Sequence, residues 1–274
     1  MNSWRERAIW LAIAVYLILA VGFAWNPTPF AQMLAAVAIC AAFTHAVLSY
    51  GWRDAAAFAA ISLVISFGME TIGTTTGLPF GHYHFTVGAG LPHIGVIPII
   101  VGPLWFGMGY FSWCVAGCLL AGRPRRRLVA LPLLAASVMT MWDLVMDPSN
   151  STIFKVWIWH DGGADFGVPL SNYAGWLLTS WLFFQGFASY RHGRPAPSPS
   201  PRLAYTAILF YLTAGLTYLT PCLIAQGGQV TDAAGHIWQI DAIHLTSAAI
   251  MLLTIGLTSA VAAVKVSKQE ALFF

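Results

Sequence analysis

The sequence predicts an all-α fold: a polytopic transmembrane helical bundle of about eight spans, with an outer-side lid segment between spans three and four. Three observations predict it. Of 274 residues, 58% are hydrophobic and 8% are charged, against roughly 25% charged in a soluble domain. Mean hydropathy is +0.71, and apolar runs recur near the ~20 residues that cross a ~30 Å hydrocarbon core. The basic residues segregate to alternate loops, which sets the parity of the span count and the orientation.

Apolar runs between polar punctuation place the spans at 8–25, 31–50, 55–71, 97–121, 128–147, 168–190, 203–225 and 241–264. The first run is longer than the roughly 7–15 apolar residues of a signal peptide, so it reads as an uncleaved helix. With eight spans the termini share a side. Loops on that side carry Arg5, Arg7, Arg53, Arg123, Arg125, Arg126, Arg127, Arg191, Arg194, Arg202, Lys265 and Lys268, twelve of the 13 basic residues, and only Lys155 falls opposite. The positive-inside rule then predicts a multi-pass protein of the cell (inner) membrane with both termini cytoplasmic. The Pro- and Ser-rich stretch 191–202 reads as a cytoplasmic linker within a single integral membrane domain over 1–274. Nothing in this charge pattern implies a nucleic-acid partner. Cys40, Cys114, Cys118 and Cys222 lie in apolar runs without a CxxC pair or His neighbours and read as small buried hydrophobes.

The carboxylates gather at the other, outer rim: Glu70, Asp143, Asp147, Asp161, Asp165, Asp232 and Asp241, with His82, His84, His93, His160, His236 and His244. Asp161, Asp165 and Asp232 read chiefly as loop-solvating groups. Glu70 closes the third span, where an ionisable group needs pairing or hydration and where a carboxylate opposes the helix macrodipole. Asp143 and Asp147 stand four apart, on one helical face, where two carboxyls can share a proton. Asp147 has the alternative of capping the turn before Pro148. The segment 73–85 is too polar to span and too apolar to be a free loop. It reads as folded over the bundle mouth, presenting His82, Tyr83 and His84. The His82-x-His84 spacing lacks the helical two-His pattern of a zinc enzyme and leaves metal, interfacial and proton-transfer roles open. Trp157 and Trp159 fit a headgroup belt. Asn172, just inside the sixth span, suits either an interhelical hydrogen bond or the orientation of a water or carboxylate.

Taken in order, several motifs form one pattern: Glu70-x-x-Gly73, Gly77-Leu78-Pro79-Phe80-Gly81-His82-Tyr83, Gly95-Val96-Ile97-Pro98 leading to Trp105, Asp143 with Asp147-Pro148, Trp157-x-Trp159, and Phe166-Gly167-Val168-Pro169-Leu170-Ser171-Asn172-Tyr173-x-Gly175-Trp176. Over roughly residues 55–190 it resembles the integral membrane carotenoid 1,2-hydratases of bacteria and archaea, the bisanhydrobacterioruberin hydratase type. The chain departs from that pattern at His84, in place of an aromatic residue, and at Ser149, in place of a branched apolar one. The resemblance implies addition of water across the terminal C1–C2 double bond of an acyclic (psi) carotenoid end group, giving a tertiary 1-hydroxy carotenoid, with no cofactor and no metal. The implied substrate is a lycopene, gamma-carotene or bisanhydrobacterioruberin-like isoprenoid entering from the bilayer.

Such a hydration needs an acid to protonate C2, a π-rich wall for the cation at C1 and one positioned water. The candidates are the Asp143 and Asp147 pair for the proton and Glu70 or His82 for the water. Phe80, Tyr83, His84, Trp105, Trp142, Trp159, Asn172 and Trp176 are the candidates for substrate contact. Two other classes stay open: a metal-dependent membrane oxygenase using His82, His84 and His160, and a proton-coupled lipid transporter using the intramembrane carboxylates.

Overall fold

A computed structural model describes residues 4–88, 90–120, 128–194, 200–224 and 227–270. Arg123, Arg125, Arg126, Arg127 and residues 195–199 of the expected linker lie outside them. Among the described residues there are ten helices and six short strands. The helices are α1 (Trp4–Trp25), α2 (Pro27–Tyr50), α3 (Trp52–Thr76), α4 (Val101–Leu119), α5 (Ala130–Asp147), α6 (Leu170–Tyr190), α7 (Pro201–Leu216), α8 (Thr220–Ile224), α9 (Ile240–Met251) and α10 (Leu257–Glu270). A π-helical turn over Leu252–Gly256 joins α9 to α10, and another over Pro148–Ile153 prolongs α5. With α7 and α8 in line, the result is eight long rods.

Six rods are long and apolar enough to cross a membrane: Arg7–Trp25, Phe30–Tyr50, Trp52–Thr76, Ala130–Ile153, Pro201–Ile224 and Ile240–Lys268. The expected spans at α4 and α6 fall short of that apolarity. The reason is where these helices sit. α4 packs against α2, α3, α5, α7 and α10, and α6 against α3 and α5. The faces that these helices turn to their neighbours carry the Gly, Ser and Trp side chains, such as Gly109, Ser112 and Trp105 of α4 and Gly175, Ser180 and Trp176 of α6, that let helices approach closely. The core is a cluster of buried apolar side chains drawn from every rod. At its basic end, Phe58 stacks on Phe187 at 4.3 Å. His45, also buried, has Nδ1 2.7 Å from the Tyr110 hydroxyl and Nε2 2.9 Å from the Leu203 carbonyl. Since a carbonyl only accepts, Nε2 carries the hydrogen, and the ring ties α2 to α4 and α7. Asp54, in the first turn of α3, accepts from Arg194 at 2.8 Å and from Arg191, both just past α6. Of the cysteines expected as small buried hydrophobes, Cys114 and Cys118 pack half-buried against the core and Cys222 is half-buried, whereas Cys40 is exposed.

The acidic end carries the strands. β1 (Tyr83–Phe85) pairs antiparallel with β4 (Trp157–Trp159), β2 (His93–Ile94) with β3 (Ile97–Pro98), and β5 (Gln229–Thr231) with β6 (Ile237–Gln239). The segment after α3 is therefore a lid stitched by hydrogen bonds to the loop after α5. The β5–β6 hairpin docks on that loop: Lys155 Nζ donates to the Thr231 carbonyl at 2.8 Å, and Phe166 meets Trp238 edge-on at 5.4 Å. Asp232 corrects the loop-solvating expectation. It is buried and accepts from Trp238 Nε1 and the His236 backbone N–H, both at 2.9 Å. Burial works against its charge, but the hydrogen bonds from Trp238 and His236 prevail and hold the carboxyl below the usual carboxylate range. A depressed folded value means that its stabilisation is complete above the unfolded pKa of about 3.9 and is lost as pH falls through the folded value. Protection of the hairpin amides from exchange, relative to their intrinsic rates at each pH, is therefore expected to be high at neutral pH and to fall below about pH 4. Asp232→Asn is expected to bring fast exchange to neutral pH. Undiminished protection in that variant would rule Asp232 out as the anchor.

Candidate active site

Two helices deliver the carboxyls, α3 with Glu70 and α5 with Asp143 and Asp147, and a third, α6, delivers the amide that joins the aspartates. Asp143 and Asp147 lie on one face of α5, one turn apart, and both are fully buried. Asn172, in the first turn of α6, donates from Nδ2 to Asp143 Oδ2 at 2.7 Å and to Asp147 Oδ2 at 2.6 Å. One amide therefore holds both acids. Asp147 Oδ1 accepts further from Trp157 Nε1 at 2.9 Å and Trp159 Nε1 at 3.3 Å. Asp143 Oδ1 is buried and has no hydrogen-bond partner. Alternate residues of a strand share a face, so β4 turns both indoles toward Asp147.

Glu70 forms a second station on α3. Its Oε1 accepts from Trp105 Nε1 at 2.8 Å, and its Oε2 accepts from the Tyr83 hydroxyl. Tyr83 sits opposite Trp159 in the β1–β4 register, so this small sheet supplies a donor to each station. Trp105 stacks on Trp176 at 4.1 Å and 27°, giving an aromatic wall next to Glu70. Phe80 is wedged between α3 and α6 at two glycines. A methyl on Gly73 would stand 2.7 Å from Phe80 Cδ2, and one on Gly175 2.4 Å from Cδ1. The Ser171 hydroxyl, donating to the Phe80 carbonyl at 2.8 Å, holds the backbone there.

The structure thus gathers Glu70, Asp143, Asp147, Phe80, Tyr83, Trp105, Trp159, Asn172 and Trp176. It leaves out three expected members. His82 is exposed and pairs with Asp161 at 2.9 Å, and His84 is exposed with Nδ1 2.7 Å from His160 Nε2. Tyr83 points inward, and strand alternation turns its two neighbours out. Trp142, one position before Asp143, faces α7 and the turn after it, where its ring meets Tyr211 and Tyr218 edge-on at 6.3 and 6.2 Å.

Three local expectations also change. Glu70 does not close a helix, because α3 runs on to Thr76 and ends at Gly77 in the left-handed region, so its carboxylate does not meet the macrodipole's negative end. Asp147 does not cap a helix end, because the rod continues through Pro148, and the Ser151 hydroxyl takes its carbonyl at 2.8 Å. Asn172 keeps to its expectation, since its amide N–H groups both bridge α6 to α5 and orient the two carboxyls. Trp157, expected in a headgroup belt, instead donates its indole N–H to Asp147. The signal in the sequence is the Trp-x-Trp spacing that begins 10 residues after Asp147. Among the described residues, no group of three or more His, Cys, Asp or Glu side chains is placed to hold a metal ion.

Residues 28–234, well over half of the chain, match the family described as carotenoid biosynthesis protein. The chain is also similar to the bisanhydrobacterioruberin hydratase of Haloarcula japonica, at 34% identity over 127 residues. That match covers 46% of this chain and 42% of the relative, so the chain spans less than half the length of that protein. No solved structure matches.

Proposed function

The chain belongs to the carotenoid biosynthesis protein family, and from that premise we propose that it is a carotenoid hydratase, adding water to the terminal C1–C2 double bond of an acyclic end group. The observation that carries this reading is the buried Asp143 and Asp147 pair, bridged by Asn172, with one Asp143 oxygen left open. Asp147 receives three N–H donors and is the ionised member. Its charge, one turn away, favours a proton on Asp143, and the open Oδ1 is the atom that delivers it. Protonation forms the C2–H bond and leaves a tertiary cation at C1. The stacked Trp105 and Trp176 rings stabilise that cation through their faces. Glu70, held by Tyr83 and Trp105, orients the water. As the oxygen bonds to C1, the second water proton passes to the Glu70 carboxylate.

The acidic end faces outward in this reading, and the basic end, with both termini, faces the cytoplasm of a cell-membrane protein. A carotenoid is about as long as the bilayer is thick, so its end group reaches the depth of this site. Lycopene, gamma-carotene and bisanhydrobacterioruberin-like chains all offer the required end. The test is expression in cells that accumulate lycopene or gamma-carotene, with and without oxygen, followed by mass analysis of the pigments. A gain of one water per modified end in both conditions is expected. A gain of one oxygen atom, only under oxygen, would make the protein an oxygenase. Unchanged pigment together with substrate-dependent proton flux in proteoliposomes would make it a transporter.

A further inference from the structure

The two carboxyl stations lie in separate hydrogen-bond networks. Glu70 is bonded to Tyr83 and Trp105, whereas the aspartates are bonded to Asn172, Trp157 and Trp159. Each turnover of the proposed hydration removes a proton from the aspartate pair and leaves one on Glu70, so the pair must be reloaded. Indole and amide N–H groups donate hydrogen bonds but do not pass protons on. A reloading route needs hydroxyl or carboxyl groups that reach water.

Tyr173 directly follows Asn172 in α6, and its hydroxyl donates to Asp165 Oδ2. Both residues are half-buried, whereas Asp143, Asp147 and Asn172 are buried. The charges of Asp147 and Asp165 act on this hydroxyl. Asp165 is held by a tight turn in which its N–H donates to the Val168 carbonyl at 3.3 Å and Val168 N–H returns the bond at 2.9 Å. That turn carries a left-handed non-glycine residue, Phe166 at φ 50°, followed by Gly167 at φ 91°. It is packed so closely that a methyl on Gly163 would stand 2.1 Å from the Val168 carbonyl carbon. Thr152 Oγ1, donating to the Phe166 carbonyl at 2.5 Å, and Trp238 from the β5–β6 hairpin clamp it from two sides. A strained conformation persists where the surroundings over-determine it, and here it aims one carboxylate at one phenol.

Resting on the hydratase reading, we propose that Asp165 and Tyr173 carry protons between outer water and the Asp143 and Asp147 pair. In the reloading step, protonated Asp165 gives its proton to the Tyr173 oxygen while the Tyr173 hydroxyl releases its own to a bridging water, which passes one of its protons to the pair, because no direct hydrogen bond joins Tyr173 to either aspartate. Asp165 is left as a carboxylate and takes a proton from water, and Tyr173 is unchanged.

The test compares the full chain in membranes supplied with lycopene as the wild type, Asp165→Ala, Asp165→Glu and Tyr173→Phe, reading kcat and KM for the water adduct with and without added formate. Asp165→Ala and Tyr173→Phe are expected to lower kcat about tenfold or more with KM unchanged. Asp165→Glu should stay near the wild-type rate, and formate should restore Asp165→Ala but not Asp143→Asn. Tyr173→Phe keeps the ring and its packing, so its loss reports on the hydroxyl alone. Wild-type rates in Asp165→Ala would overturn the relay. So would a loss that formate and Asp165→Glu leave unrelieved and that raises KM, which would make the turn a brace for α6. Absence of any water adduct with the wild type would instead overturn the hydratase reading, and the relay with it.

Discussion

Asp143→Asn is expected to abolish product formation while the protein stays folded. The substitution is isosteric, and the amide oxygen can keep the Asn172 hydrogen bond now made by Oδ2. The new NH2 group takes the place of Oδ1, which has no partner to lose. What disappears is the acidic proton, and general acid catalysis contributes about 10²–10⁴-fold. Asp147→Asn separates catalysis from architecture. Asp147 accepts from Trp157, Trp159 and Asn172, and an amide can accept on one side only. At least one buried N–H is left facing another, at a cost of about 1–3 kcal/mol. Asp147→Asn should therefore be inactive and the less stable of the two, whereas Asp143→Asn, which breaks no existing hydrogen bond, should be inactive with a thermal midpoint closer to that of the wild type in detergent. Near-normal turnover by purified Asp143→Asn would remove that residue from the mechanism.

The largest expected packing effect is at Gly175. A methyl there would lie 2.4 Å from Phe80 Cδ1 and 2.9 Å from Cε1, and the ring cannot retreat because Gly73 bounds its other edge. Overpacking of this kind costs about 1–3 kcal/mol. It does not stay local, because Phe80 meets Tyr83 edge-on at 6.1 Å and Tyr83 donates to Glu70. Gly175→Ala is expected to lower both the thermal midpoint and kcat/KM. If the damage passes through the Phe80 ring, adding Phe80→Ala should cost less than its effect in the wild-type background. Wild-type stability in Gly175→Ala, or full additivity of the pair, would refute this route.

The residues themselves determined what depends on spacing within one segment. Runs of apolar residues near the span length set the rods, and the four-residue interval put Asp143 and Asp147 on one face of α5, because helical periodicity is local. The low charge confined chemistry to the acidic end, where Glu70, Tyr83 and Trp105 stand together. Tertiary structure decided the rest. Tyr83 pairs with Trp159 through a register between segments far apart in sequence, and a shift of one residue would have turned His82 and His84 inward instead. Asn172 holds both aspartates only because α6 packs against α5. Asp165 and Asp232, indistinguishable in sequence from solvated loop acids, differ from Asp161 because a tight turn and a docked hairpin enclose them. Which side a loop or strand residue faces depends on partners tens of residues away, whereas helical periodicity places residues on a face from their spacing alone.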